Sequence, residues 1–377
     1  MIKTTLTSLA VLVAVSSTAQ ADIKIGATIS ETGPASFLGD PEAKTLKLLV
    51  EDLNAKGGIK GEKIKLIMYD DGADPNKAKS FATRLIEDDQ VSIIIGGTTT
   101  GTTMAVSPVA EEAKVPFISL AGAIEIIEPV KPYTFKTPHT DKMACEKIFE
   151  DLKKRSLTKV GMISGTDGFG ASMRTQCLAV ADKWGISVIA DETYGPKDND
   201  MTPQLTKIRG IAGLQAILNP GFGGGPAIVT RNYAQLAITQ PLYQSHGVAS
   251  NAFIDLVGAK AAEGVRLPGT ALLMGDLLAA NDPQKPVVMA YKGAFEKAAA
   301  MPVSTFGGYA HDAFLIAVQA IGQAGTKPQA IRDGIESIKG LVGTTGTYSF
   351  SKTDHLGLDL SAFRMLEIKN GGWASVQ

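Results

Sequence analysis

A run of threonines between a predicted strand and a predicted helix concentrates uncharged hydrogen-bond donors at one point of this sequence. The segment IIIGGTTTGTTMAVSP, residues 93–108, opens as a β-branched strand, and five of the residues 98–103 are threonine. A helix starting here has unpaired backbone N–H groups, and its dipole favours negative charge. One threonine suffices for capping. We therefore predict that Thr98, Thr99 and Thr100 bind a carboxylate; the alternative is that they only cap the helix.

The histidines and glycine-rich segments do not form a catalytic pattern. None of His139, His246, His311 and His355 has a partner at metal-ligand spacing, and no G-x-S-x-G motif occurs. The segment GFGGGP, residues 221–226, lacks the Lys-Ser/Thr pair of a phosphate-binding loop. Its glycines predict either a flexible turn or a loop whose amides approach a ligand. We expect no enzyme activity, no cofactor and no metal.

The elements that position these residues alternate between strand and helix patterns. Strands are predicted at 23–30, 63–71, 91–97 and 115–122, with helices at 41–58, 74–89 and 102–114 between them. The alternation starts again near residue 141, and a chain of 377 residues exceeds the usual size of one core. Such alternation is typical of right-handed βαβ units with parallel sheets. The fold class is therefore α/β, with two doubly wound lobes.

Five loops are predicted to follow strands in the two lobes. They cover residues 98–103, 121–123, 165–170, 219–226 and 245–247. Ligands of open α/β sheets bind outside the carboxyl ends of the strands. Because the loops are shared between two lobes, they predict a binding cleft, and Asn219 is included among its residues.

The first residues have the pattern of a secretory signal peptide. Lys3 precedes an apolar run at 9–15, and Ala19-Gln20-Ala21 predicts cleavage before Asp22. The run is too short to span a bilayer; an uncleaved anchor is the alternative. Residues 1–21 are thus a predicted signal peptide, and the mature chain is expected to be exported.

Charge and cysteine content narrow the class of partner. The 37 basic and 38 acidic residues nearly balance, and no basic stripe with interleaved aromatic residues occurs, so we expect no nucleic-acid partner. Cys145 and Cys177 would be in an oxidising compartment after export. They predict either one disulfide or two separate buried thiols.

The segment DLNAKGGIKGEKIKLIMYDDGADPNKA, residues 52–78, resembles the signature of type I periplasmic binding proteins, the leucine/isoleucine/valine-binding family of ABC importers. The segments at 31–40 and 95–119 fit that family in order and spacing. The resemblance implies two lobes joined by a hinge of three crossovers, a periplasmic location, and a monomer that serves an ABC permease and its ATPase. The implied division is 22–140 and 271–345 for lobe I, 141–270 for lobe II, and 346–377 for a final lobe II and hinge segment.

The same resemblance implies ligand-binding positions. Residues 98–100 and Ala121, Gly122 and Ala123 match two carboxylate loops; Leu38, with Phe37 beside it, and Phe169 and Phe222 match aromatic positions. His246 stands where amino-acid binders of the family carry an acid for the ammonium group. Ala123 stands where threonine is common.

The presence of a histidine instead of an acidic residue at position 246 changes the class of ligand that we predict. A buried ammonium without an anionic partner is costly, so the sequence predicts a small aromatic or apolar carboxylic acid as the ligand. The segments SLAGAIEIIEP and QSHGVAS, residues 119–129 and 244–250, also resemble a subgroup associated with aromatic and other organic acids. The alternatives are a branched-chain amino-acid-binding protein, a secreted α/β hydrolase and a sensory ligand-binding module.

Overall fold

Two separate sheets organise the chain into two α/β lobes. They are seen in a computed structural model that describes residues 22–376. The signal peptide predicted for residues 1–21 lies outside the described residues. Among the residues described, no helix is long and apolar enough to cross a membrane.

The first lobe is built on a five-stranded parallel sheet. Its strands, in the spatial order β2-β1-β3-β4-β5, are β1 Ile23–Ile29, β2 Ile64–Asp70, β3 Ile93–Gly96, β4 Phe117–Ser119 and β5 Thr134–Lys136. The helices of this lobe are α1 Ser36–Ala55, α2 Pro75–Glu87, α3 Thr100–Ala113, α11 Thr305–Ala324 and α12 Pro328–Ser337. The inner strands β1, β3 and β4 are buried between helices, which explains why their sequences are largely apolar.

The second lobe is built on a seven-stranded mixed sheet. Its strands, in the order β14-β13-β10-β9-β8-β6-β7, are β6 Lys159–Gly165, β7 Ser187–Tyr194, β8 Ala216–Asn219, β9 Leu242–Gln244, β10 Arg266–Gly269, β13 Arg364–Lys369 and β14 Gly372–Ser375. The strand β13 pairs antiparallel with both of its neighbours, β10 and β14. The remaining neighbours in the sheet pair parallel. The helices are α4 Asp141–Lys154, α5 Gly168–Trp184, α6 Thr202–Arg209, α7 Gly224–Gln235, α8 Asn251–Val257 and α9 Ala259–Ala262.

The chain passes between the lobes three times, as a hinge of three crossovers requires. The passages lie between β5 and α4, between β10 and α11, and before β13. The remaining elements are α10 Lys285–Ala299, the short pair β11 Leu341–Val342 and β12 Thr347–Tyr348, and short 3₁₀ turns. Tyr348 belongs to the core of the first lobe. The expected fold class is confirmed, while the residue limits given for each lobe stay predictions.

Two of the predicted elements differ from their predicted limits by three residues or more. The first helix begins at Ser36 rather than 41, so that Pro41 lies inside the helix and Leu38 packs into the core from its first turn. The strand β4 ends at Ser119 instead of continuing to 122. The amide of Ala121 donates to the Ser119 hydroxyl at 3.1 Å, and the chain leaves the sheet there.

The two cysteines form a disulfide. The bond joins Cys145 in α4 to Cys177 in α5, and both side chains are fully buried. Of the two alternatives that the sequence left open, the structure has the bridge.

Candidate functional site

A cavity lies between the lobes, at the carboxyl ends of both sheets. Nine of the twelve residues predicted for the site form part of its wall: Leu38, Thr98, Thr99, Thr100, Ala121, Gly122, Phe169, Phe222 and His246. Their roles in ligand binding stay predictions.

Parallel strands bring these residues together. The threonine run follows β3, and Ala121 follows β4, so the first lobe supplies two adjacent loops. Phe169, Phe222 and His246 follow β6, β8 and β9, which are neighbours in the second sheet. Residues distant in sequence therefore meet because every one of these strands ends at the edge that faces the cleft.

The hydroxyls of the three threonines at the start of α3 differ in their hydrogen bonding. The Thr98 hydroxyl donates to Oε2 of Glu42 at 2.6 Å and accepts from the Ser30 amide at 3.0 Å. Thr99 is the N-cap of the helix and forms a capping box with Thr102. The hydroxyl of Thr100 is buried and has no hydrogen-bond partner. Of the three hydroxyls, that of Thr100 is therefore the one that remains available to a ligand.

The first amides of α3 are also available. The amide of Thr102 donates to the Thr99 side chain, and that of Thr103 to the Thr99 carbonyl. Helical geometry leaves the preceding amides, at Thr100 and Gly101, without an intrahelical acceptor. Together with the Thr100 hydroxyl they form a donor set suited to a carboxylate.

Aromatic rings form the opposite side of the cavity. Phe169 packs edge-on against Phe222 and His246, with ring centroids 6.2 and 5.3 Å apart. Both phenylalanines also line a larger outer cleft that adjoins the cavity and reaches Thr100 from outside. The two rings therefore separate the inner cavity from the outer cleft and offer an apolar surface to a ligand.

His246 is a neutral, buried imidazole. It is 3% exposed, and its Nδ1 atom has no hydrogen-bond partner. Burial, aided by the positive charge of Lys136, lowers the pKa of His246 to about 3. At neutral pH the ring can accept one hydrogen bond and donate another, but it supplies no charge.

The wall of the cavity contains no aspartate or glutamate among the described residues. Glu42 lies behind Thr98, where burial raises the pKa of its carboxyl well above the usual range and favours the neutral form. Asp167 lines the outer cleft instead, where it caps α5 by accepting from the amides of Phe169 and Gly170. A ligand held inside the cavity thus meets neutral partners.

Three predicted residues lie outside the wall. Phe37 stacks on Phe222 with the ring centroids 6.5 Å apart, so it supports the wall from behind. The carbonyl of Ala123 accepts a hydrogen bond from Lys136. Asn219 is buried beneath the second lobe's loops, where its amide donates to the hydroxyl of Tyr194 at 3.2 Å.

Five further residues of the wall were missed: Leu120, Pro138, Gly247, Phe306 and Tyr309. Leu120 and Gly247 adjoin predicted residues, and Gly247 belongs to the loop 245–247, which is predicted to follow a strand. No motif marks Phe306 and Tyr309, which reach the cavity from α11, far along the chain. The Tyr309 hydroxyl is buried near Thr305 without a well-formed hydrogen bond.

The histidines, cysteines and carboxylates of the described chain form no group of three or more that could hold a metal ion. The polar groups that face the cavity are hydroxyls, amides and an imidazole. Such a donor set suits an organic solute.

Comparison with known proteins identifies the family. The sequence profile of periplasmic binding proteins matches residues 22–372. A Leu/Ile/Val-binding protein homolog 7 of Brucella suis is 31% identical over 225 residues, which are 57% of this chain and 56% of that protein. Homolog 3 of Brucella melitensis is 25% identical over 344 residues, which are 90% of each chain.

A solved structure is similar along nearly the whole chain. It is an extracellular ligand-binding receptor from Rhodopseudomonas palustris HaA2, with a TM-score of 0.88 and 29% identity, covering 95% of this chain and 100% of that one. The two-lobe architecture, the profile and these relatives agree. This chain belongs to the periplasmic binding proteins, as a type I member of the leucine/isoleucine/valine-binding family.

Proposed function

We propose that this chain is the solute-binding component of an ABC importer, which captures a small apolar solute by its carboxylate and delivers it to a membrane permease and its ATPase. The observation that carries the proposal is a cavity lined by both lobes, whose wall includes one residue of each lobe with an unpaired polar atom: Thr100, through its hydroxyl, and His246, through Nδ1. Buried polar groups are normally paired, so a ligand that pairs them stabilises the closed arrangement. Binding by closure of two lobes needs no chemical step, and the proposed function is not enzymatic.

The carboxylate end of the ligand is assigned to the first lobe. The Thr100 hydroxyl and the first amides of α3 donate to its oxygens, and the helix dipole favours its charge. The apolar body then lies against Phe169, Phe222 and Phe306. Because these rings come from both lobes, a bound solute favours closure.

A branched-chain amino acid is the first candidate ligand. Relatives at 31% and 25% identity carry Leu/Ile/Val-binding names, and these names support the alternative kept in the sequence analysis better than they support an aromatic acid. For its ammonium to meet the carboxylate of Asp167, which lines the adjoining outer cleft, such a ligand has to extend past Phe169 and Phe222. An apolar side chain suits the phenylalanine wall.

An apolar acid without an amino group is the second candidate. The observation that favours it is the neutral wall: His246 carries no charge, and no described carboxylate faces the cavity. An ammonium buried there loses its hydration without gaining an ionic partner. A carboxylic acid of similar shape avoids that cost.

Matched pairs of solutes distinguish the candidates. Leucine and 4-methylpentanoate share a skeleton and differ in the amino group, as do phenylalanine and 3-phenylpropanoate. A ligand at a hundredfold excess over its Kd adds about 2.7 kcal/mol of stability, so a thermal-shift screen followed by calorimetry ranks all four. The control is 4-methylpentan-1-ol, which lacks the carboxylate. If none of the four carboxylates binds, or if the alcohol binds as tightly, the proposed mode of capture is wrong.

Two variants test whether the site recognises the ammonium group or only the carboxylate of its ligand. With an amino acid as the natural ligand, Asp167→Asn weakens leucine binding and leaves 4-methylpentanoate unchanged. With an acid as the natural ligand, His246→Glu weakens the binding of the acid, because the new carboxylate faces the ligand's own.

A further inference from the structure

A buried lysine lies directly behind the cavity wall. Lys136 is the last residue of β5, at the start of the first crossover, and is 0% exposed. Its ammonium donates to the carbonyls of Gly122 at 2.9 Å, Ala123 at 3.2 Å and His139 at 3.4 Å. Two of these carbonyls belong to the loop 121–123, so the lysine is bonded to the back of a loop that faces the ligand.

Lys136 has no close anionic partner within the described chain. Among residues 22–376 its ammonium makes no ion pair within 4 Å. The carboxylate of Asp141 attracts it electrostatically from a longer distance. One oxygen of Asp141 accepts from the amides of Ile124 and Lys142, and the other accepts from the Ser172 hydroxyl. A buried ammonium bonded only to carbonyls is costly, and a nearby negative charge offsets that cost.

Gly122 connects the lysine to the cavity. Its carbonyl faces Lys136, while a Cβ on its other side would lie 2.7 Å from Phe169 and 2.9 Å from Nε2 of His246. The positive charge is therefore one peptide unit behind the surface that the ligand contacts. The charge of Lys136 also reaches His246, since it contributes to lowering the pKa of the imidazole.

We propose that Lys136 is the counter-charge of the binding site: it acts through the Gly122 loop and selects ligands of net negative charge over zwitterions. The inference rests on the proposed function and, of its two candidate ligands, favours the second, the apolar acid without an amino group. Lys136 is a positioning residue, since Gly122 stands between it and the ligand. A carboxylate gains from its charge, whereas an added ammonium in the same cavity is repelled by it.

The proposal predicts that binding of an anion is coupled to a proton. Burial lowers the pKa of Lys136 to about 7 in the ligand-free protein. A bound anion favours the charged form, so the pKa is higher in the complex, and above pH 7 the protein must take up a proton to bind. Affinity for an anion then falls as pH rises, by up to about tenfold per pH unit. A zwitterion has little such dependence.

The two histidines that face Lys136 do not titrate between pH 6 and 8.5. His139 from the crossover and His246 from the second lobe are both neutral there, because burial lowers the pKa of each. Asp141 from α4 is the one carboxylate that acts on Lys136; burial raises the pKa of its carboxyl, and the hydrogen bond from Ser172 and the charge of Lys136 oppose that rise. The two cysteines are in a disulfide.

The experiment is isothermal titration at pH 6, 7, 8 and 8.5, with 4-methylpentanoate and 3-phenylpropanoate as anionic probes and leucine as the zwitterionic probe. The wild type is expected to lose about tenfold in affinity for the better anion between pH 7 and 8.5. Lys136→Met is expected to bind that anion at least about tenfold more weakly at pH 6 and independently of pH. Lys136→Arg, which keeps its charge throughout, is expected to retain affinity with a flat profile.

Circular dichroism and thermal unfolding check that each variant is folded. If Lys136→Met does not fold, the comparison of wild type with Lys136→Arg decides the question, because a purely structural lysine gives both the same profile. A flat wild-type profile, unchanged anion affinity in Lys136→Met, or tight binding of leucine alone overturns the inference while the proposed capture of a carboxylate stands. Failure of all three probes with the wild type overturns the proposed function itself.

Discussion

Thr98 and Thr100 are two residues apart, yet their hydroxyls have opposite environments. That of Thr98 donates to the buried Glu42 at 2.6 Å, and that of Thr100 is buried without a partner. The first hydroxyl is therefore part of the folded framework, and the second is available to a ligand. One threonine run thus serves stability and binding at separate positions.

Replacing these threonines one at a time separates the two roles. Thr100→Val is expected to weaken binding of the tightest carboxylate by about 1–3 kcal/mol, because a hydrogen bond to a charged group is lost. Its free energy of unfolding changes little, since no internal bond is broken. Thr98→Val is expected to lower the free energy of unfolding by about 1–3 kcal/mol, because it leaves Glu42 unpaired. Calorimetry and chemical denaturation measure the two effects. Equal affinity of Thr100→Val and wild type would falsify the carboxylate assignment.

Gly122→Ala is expected to prevent closure. The added methyl would lie 2.7 Å from Phe169 and 2.9 Å from His246, which both belong to the other lobe. Each lobe can fold as before, but the lobes cannot approach as closely, so ligand affinity falls by about tenfold or more. Small-angle scattering with saturating ligand should show a smaller radius of gyration for the wild type than for the variant.

Gly293→Ala is the matched control for that experiment. A Cβ at Gly293 meets no atom within 4 Å, so both affinity and radius of gyration should equal those of the wild type. Gly122→Ala with normal affinity and normal compaction would show that the lobes tolerate a wider gap than this structure has.

The disulfide is expected to stabilise the second lobe without affecting the cleft. Replacing Cys145 and Cys177 together by alanine should lower the free energy of unfolding by about 2–4 kcal/mol, as cross-links of this kind do. Both side chains lie in the core between α4 and α5, so ligand affinity should stay the same. Guanidinium denaturation of the double variant, and of reduced wild type, should give the same loss. A reduced wild type as stable as the oxidised protein would contradict this.

His246 is expected to make the protein sensitive to acid. Its pKa is about 3 in the folded chain and near 6.5 when unfolded, so between these values the unfolded state binds more protons, and stability falls as pH decreases. The loss is up to about 1.4 kcal/mol per pH unit. Relative to wild type, His246→Asn should therefore gain stability from pH 6.5 down to pH 4, measured by urea denaturation at each pH. Parallel curves for the two proteins would show that the imidazole is not buried as described.

The sequence alone was sufficient to predict the architecture. Strand and helix patterns repeat along the chain, and each apolar strand must be covered by helices on both faces, so a doubly wound fold follows from local periodicity. The largest deviations from the predicted limits concern two elements, α1 and β4. The predicted first helix begins at residue 41, whereas α1 begins at Ser36 and packs Leu38 into the core; β4 ends at Ser119, whose hydroxyl accepts from the Ala121 amide, before its apolar sequence ends.

The residues of the candidate site also fall into those that the sequence predicted and those that only the tertiary structure placed. Loops at strand ends could be read from the sequence, because the carboxyl ends of parallel strands share one edge, and nine of the predicted residues lie in the cavity wall. Only the tertiary structure placed Phe306 and Tyr309 beside them, since contacts made by α11 across the chain leave no local pattern. It also decided which threonine hydroxyl is free, and it placed the charge of Lys136 behind Gly122. Pairing and burial depend on which groups meet in space, and residue type and spacing do not specify that.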